Sequence, residues 1–156
     1  MRAIGVHVAT RDNRYLAGFV VVDDDHVEQT LSLGGPSDEP EAGQLRELHS
    51  RTLRLIEEKE PGIVAIRVAE IQGSATRARI AHRGEGAVLA AAGETRGLAV
   101  EYWVRASLVR VARPASASSA AVANELCGRL ANPPAEAEQR QAAAAAVASL
   151  IEAGVL

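Results

Sequence analysis

The sequence predicts an α/β protein built on a mixed five-stranded sheet, three antiparallel strands followed by parallel ones, with helices on both faces. Three observations predict it. Three apolar, β-branched runs open the chain, joined by the short polar connections that link antiparallel neighbours. After them, stretches with helical spacing alternate with short apolar runs, the order that sets parallel strands side by side beneath helical crossovers. Beyond residue 114 only helical stretches remain.

Residues 2–9 (RAIGVHVA) alternate small and apolar side chains and end at Thr10-Arg11-Asp12-Asn13, a turn-rich tetrapeptide. Residues 15–22 (YLAGFVVV) form a continuous apolar run that suits a strand covered on both faces. Asp23-Asp24-Asp25 makes a tight polar turn into residues 26–33 (HVEQTLSL), where Val27, Leu31 and Leu33 share one face. Residues 34–43 (GGPSDEPEAG) read as a loop. Residues 44–60 have helical period, with Leu45, Leu48, Thr52, Leu55 and Ile56 on one side, and Pro61-Gly62 stops them. Residues 63–69 (IVAIRVA) predict a buried parallel strand. Residues 74–94 predict a second helix, lined by Ile80, Ala81, Gly84, Ala87, Val88 and Ala91. Residues 97–104 (GLAVEYWV) predict the fifth strand, and residues 105–112 a short helix. A Ser/Ala linker at 114–119 leads into helices at 120–130 and 136–151, separated by Asn132-Pro133-Pro134.

The chain has 156 residues, 47% hydrophobic and 24% charged, the composition of one globular domain spanning residues 1–156. It holds one Phe, one Trp and two Tyr, so its core must be aliphatic and rich in alanine. No apolar run reaches the roughly 18 residues that span a bilayer, so no membrane association is expected. Cys127 stands alone and no Cys/His set has zinc-ligand spacing, which predicts no disulfide, no zinc site and a cytoplasmic setting. The net charge of −3 is unevenly spread: residues 1–66 carry −5, residues 67–113 carry +4 and residues 114–156 carry −2. A basic belt on an acidic chain points to an anionic partner, against the plainer reading of solvated Arg side chains on helix faces.

Several segments resemble the ribonuclease H-like superfamily, and within it the RuvC type of Holliday-junction resolvase. Residues 3–10 (AIGVHVAT) are similar to that family's opening strand. The helix ending at Glu60, followed by Pro61-Gly62-Ile63-Val64-Ala65-Ile66, resembles its long helix and fourth strand. Residues 78–89 (ARIAHRGEGAVL) with Val100-Glu101-Tyr102 resemble the next helix and fifth strand, and Leu130-Ala131-Asn132-Pro133 resembles the approach to its last helix. The resemblance implies a mixed sheet and a nucleic-acid partner. It also implies two divalent cations, Mg²⁺ or Mn²⁺, held by about four carboxylates on the first strand, the fourth strand and the last helix.

At those positions this sequence departs from the pattern. His7 stands on the first strand and Arg67 on the fourth. On the last helix the best pairing brings Glu136 or Glu138 to the first acid and Gln139 or Gln141 to the second. A guanidinium stays protonated and repels a cation, so metal-dependent cleavage is not expected, and no cofactor with it. His7 and Arg67, on adjacent strands, are expected to face each other. Either they grip a small anion, or His7 bonds in the interior while Arg67 pairs with an acid such as Glu138. In the second case removing one partner of the buried pair costs about 3–5 kcal/mol. A divergent nuclease would instead have to recruit Glu70, Glu138 and a displaced Asp.

Arg77, Arg79, His82, Arg83 and Arg105 form the belt expected to meet an anion or nucleic acid, though aromatic stacking groups and lysines are scarce. Tyr102 and Trp103 are adjacent on a strand and so point to opposite faces. The triple-Asp turn reads as a hairpin tip, and Cys127 as a packing residue. Residues 142–146, all alanine, with Val147, Leu150 and Ile151, permit close helix approach inside the fold or across a homodimer interface. The sequence thus predicts a catalytically inactive RuvC-like module for nucleic-acid or protein interaction. The alternatives are a divergent metal-dependent endonuclease and an anion-binding domain at His7 and Arg67.

Overall fold

A computed structural model describes residues 1–35 and 39–156. Five strands form one sheet: β1 (Arg2–Arg11), β2 (Arg14–Asp23), β3 (His26–Gly34), β4 (Ile63–Arg67) and β5 (Ala99–Trp103). Their order is β3-β2-β1-β4-β5. β1–β2 and β2–β3 are antiparallel, whereas β1–β4 and β4–β5 are parallel. The predicted mixed sheet is therefore the one formed.

Local chemistry accounts for the meander. Asp12 and Asn13 take positive φ values of 50° and 58° between the paired Arg11 and Arg14. Those are the angles of a two-residue turn whose twist matches the flanking strands, and Asp and Asn tolerate them best after glycine. At the second turn each aspartate has a basic neighbour. Asp23 pairs with Arg2 at 3.2 Å, Asp24 with the N-terminal ammonium at 2.5 Å and Asp25 with His26 at 2.6 Å. Pairing of that kind explains the acidic triplet without a cation. Of the predicted loop at 34–43, Pro36, Ser37 and Asp38 lie outside the described residues.

The helices are α1 (Glu41–Lys59), α2 (Ala75–Gly93), α3 (Arg105–Ala112), α4 (Ser119–Cys127) and α5 (Ala137–Glu152). α1 begins three residues before the predicted start, running through Gly43, and ends where Glu60 turns left-handed at φ 47° ahead of Pro61. β4 stops at Arg67, two residues short of expectation, and the chain parts from β5 after one further bond. Val68 N–H donates to the carbonyl of Trp103, and Ala69 N–H donates to the Glu85 carboxylate at 2.6 Å.

Each face of the sheet has its own core. Ile4, Val6, Val8, Phe19, Val21, Val64 and Ile66 pack beneath α1 and α2. Ala3, Val20, Val22, Ala65 and Trp103 pack beneath α5, with α3 and α4 outside it. The alanines at 142–146 are wholly buried in this second core, together with Val147 and Leu150. They belong to the fold, and no dimer interface can be made from them.

Glycines in two strands let α5 approach. A Cβ on Gly5 would stand within van der Waals overlap of the Ala142 carbonyl, and one on Gly18 would meet the Glu138 backbone at 2.7 Å. Helix and sheet meet backbone to backbone there, and neither can yield cheaply. Gly5→Ala should therefore lower stability by about 3 kcal/mol or more. Gly86→Ala, on the open side of α2 with nothing within 4 Å, should raise it by about 0.5–1 kcal/mol. Urea denaturation of both variants checks the pair of outcomes.

Candidate functional site

The C-terminal ends of β1 and β4, the first turns of α2 and α4, and one turn of α5 enclose a cleft of about 340 Å³. His7, Thr10, Arg67, Glu70, Arg77, Ser119 and Gln141 are among its lining residues. His7 and Arg67 are partners in the parallel register, and both lie on the face covered by α5. The two residues meet, but not side chain to side chain. His7 Nδ1 lies 3.0 Å from the Arg67 main-chain carbonyl. A carbonyl only accepts, so Nδ1 carries the proton and, in the neutral ring, Nε2 holds the lone pair. Burial pushes the His7 pKa down, and the nearby Arg67 charge adds to the fall.

The Arg67 side chain is 4% exposed. Its Nη1 donates to the carbonyls of Val68 at 2.6 Å and Trp103 at 3.3 Å and lies 3.4 Å from Glu70 Oε1. Its Nε donates to Gln141 Oε1 at 3.3 Å, and the Gln141 amide donates in turn to the Ser119 carbonyl at 3.1 Å. Burial lowers the Arg67 pKa while Glu70 raises it. A guanidinium starts so far above the physiological range that the group stays protonated there.

The expected Arg67–Glu138 pair does not form. The backbone of Glu138 lies over Gly18 of β2, two strands away from β4 in the sheet order. Its charge reaches His7, whose proton it favours, but it makes no bond to Arg67. Glu70 is the partner instead, only three residues along the chain. Because the Glu70 side chain is 33% exposed, the pair is half open to water. The full 3–5 kcal/mol of a buried pair therefore does not apply. In this geometry the His7 ring bonds a main-chain carbonyl and the Arg67 guanidinium bonds Glu70.

The arginine belt is divided among several places. Arg77 is exposed at the rim of the cleft, on the first turn of α2. Arg105 opens α3 and lies 3.5 Å from Glu70. Arg79 lines a separate cavity against Tyr15 and α1. Arg83 makes an ion pair with Glu41 at 2.7 Å, and His82 lies 3.0 Å from Glu85. Only Arg77 and Arg105 stand near His7 and Arg67. Tyr102 and Trp103 do face opposite ways, the first half exposed and the second buried against Ser149. Cys127 is buried, and that burial pushes its thiol pKa up to about 11.

One residue at the site had been passed over. Glu85 is buried on α2, accepts from Ala69 N–H and acts on the charges of both His7 and Arg67. Its signal is present in the sequence: it stands four residues after Ala81 and three before Val88, on the apolar stripe of its own helix. Among the described residues no group of three or more His, Cys, Asp or Glu side chains gathers to hold a metal ion.

The sheet order, the crossing α5 and a cleft at the ends of β1 and β4 define a ribonuclease H-like fold. Within that class the arrangement is similar to that of solved RuvC structures. Thermus thermophilus RuvC in complex with its Holliday junction substrate superposes with a TM-score of 0.79 at 20% identity, over 99% of this chain and 97% of that one. A second Thermus thermophilus RuvC structure gives 0.78 at 20% identity, over 98% and 95%. The yeast mitochondrial Holliday junction resolvase Ydc2 gives 0.57 at 11% identity, over 94% of this chain and 75% of that one. No protein-family model and no curated protein matches the sequence.

The half-buried histidine makes stability depend on pH. Its folded pKa lies below the ordinary 6.5, so as pH falls the unfolded chain takes up a proton first. Stability should fall as pH drops from about 6.5 toward the folded pKa and level off below it. His7→Asn keeps an N–H for the Arg67 carbonyl and has no proton to gain. Urea denaturation of both proteins at about pH 7.5 and about pH 5.5 should show a smaller loss in the variant.

Proposed function

We propose that this chain is a single-domain, cytoplasmic, RuvC-like module that binds nucleic acid and does not cut it. The observation that carries the reading is the Arg67 guanidinium, fixed by four partners in the cleft between β1, β4 and α5. The resemblance implies two divalent cations in such a cleft, and the side chains present do not fit them. They are an imidazole, two guanidiniums, a carboxamide, the hydroxyls of Thr10 and Ser119 and one carboxylate, Glu70, already engaged by Arg67. Hard cations need several oxygen anions, and a fixed positive charge among the ligands opposes their entry.

Support for a nucleic-acid partner comes from the full-length likeness to RuvC and from the positive groups at the cleft. Arg77 stands at its rim and Arg105 beside Glu70. α2, α3 and α4 carry no acid in their first turns, which leaves the positive ends of their dipoles unopposed from within each helix. No helix is long and apolar enough to cross a membrane among the described residues. A homodimer, if formed, must use a surface other than the alanine run of α5.

A fluorescent four-way DNA junction tests both halves of the reading. Incubated with the protein in Mg²⁺ or Mn²⁺ it should remain intact, and cleavage by the purified wild-type chain would overturn the inactive assignment. Its affinity should fall steeply as salt rises, and Arg77→Ala should weaken it and flatten that slope by about one phosphate contact. Binding that is absent at low salt would remove the nucleic-acid assignment.

A further inference from the structure

Glu70 is held as a bound anion would be. Its Oε1 accepts the backbone N–H of Arg105, the first residue of α3, at 2.6 Å. Arg105 Nε stands 3.5 Å from Oε2, and Arg67 Nη1 stands 3.4 Å from Oε1. One helix amide and two guanidiniums around a single carboxylate are the donors that proteins use for phosphate oxygens. The carboxylate comes from the connection between β4 and α2, where residues 70–73 belong to neither helix nor strand. Glu70 is also the residue common to two cavities, the cleft of about 340 Å³ and a neighbouring groove of about 490 Å³ lined by Val104, Arg105, Val109 and Ala117.

Resting on the nucleic-acid reading above, we propose that Arg67, Arg105 and the α3 amide form a binding site for a backbone phosphodiester, and that Glu70 is its built-in competitor. The exchange conserves charge. A diester carries one negative charge, as the carboxylate does, so Arg67 keeps an anionic partner when Glu70 swings out, and the buried guanidinium is never left alone. This is a different site from a His7–Arg67 grip, because the second guanidinium comes from α3 and the imidazole takes no part. An internal competitor lowers apparent affinity in proportion to the time it occupies the site, so nucleic-acid binding by the wild type is held in check.

Removing the competitor tests the proposal. Glu70→Ala vacates the site; Glu70→Gln removes only the charge and keeps the volume and an acceptor for Arg105 N–H, which covers the case in which truncation unfolds the chain. Two measurements are made on wild type, both Glu70 variants and Arg105→Ala: anisotropy of a fluorescein-labelled four-way DNA junction, and thermal unfolding in inorganic phosphate against chloride of equal ionic strength. Expected are a junction affinity about tenfold tighter in the Glu70 variants, a rise in their melting temperature with phosphate that the wild type lacks, and weaker junction binding by Arg105→Ala. Junction binding that is unchanged in the Glu70 variants overturns the proposal while leaving the nucleic-acid reading standing. Phosphate stabilisation of those variants with no junction binding by any form overturns the nucleic-acid reading itself.

Discussion

The contact on which the structure depends is the approach of α5 to the sheet. Glycines at Gly5 and Gly18 remove the side chains that would hold the helix off, and a run of alanines supplies a surface flat enough to follow them in. Backbone then meets backbone, at the cost of any later tolerance for volume at those positions. The consequence reaches the cleft. With α5 seated at that depth, Gln141 stands within hydrogen-bond distance of the Arg67 guanidinium and ties it to the first turn of α4. The alanine-rich composition of the chain supplies what a helix needs in order to pack this closely.

Within the frame so made, the electrostatics of the cleft are settled by one fixed positive charge. Arg67 is almost wholly buried, and its Nε and Nη1 meet two carbonyls, a carboxamide and the Glu70 carboxylate. The pKa of His7, on the adjacent strand, is lowered by burial and further by that charge. Glu85 supplies negative charge from the opposite face of the sheet while capping the amide that follows β4. A cleft organised in this way has an internal cation, bonded to the chain and unable to leave.

Much of this was legible in the sequence, for identifiable reasons. Strand pairing is decided by apolar runs and turn residues, so the adjacency of His7 and Arg67 followed once the topology was drawn. Helix faces followed from spacing, and Leu48, Thr52, Leu55 and Ile56 are buried as the period requires. The partner of Arg67 did not follow. Choosing between Glu138 and Glu70 depends on how far α5 is rotated over β2 and on how the chain turns after β4, and neither is a local property. The end of β4 was missed for a related reason, since the Ala69 amide, two residues beyond it, is claimed by a side chain of α2 rather than by a neighbouring strand. Glu85 could have been found, because a carboxylate on an apolar stripe demands a buried donor.

The central claim is that the guanidinium of Arg67 stands where the resemblance would place divalent cations. Crystals soaked in Mn²⁺ and read by anomalous diffraction test it most directly. The account predicts no manganese peak between β1, β4 and α5, with the Arg67 guanidinium ordered beside Glu70 and Gln141. A manganese ion bonded to His7, Glu70 or Glu138, with the guanidinium displaced, would contradict it.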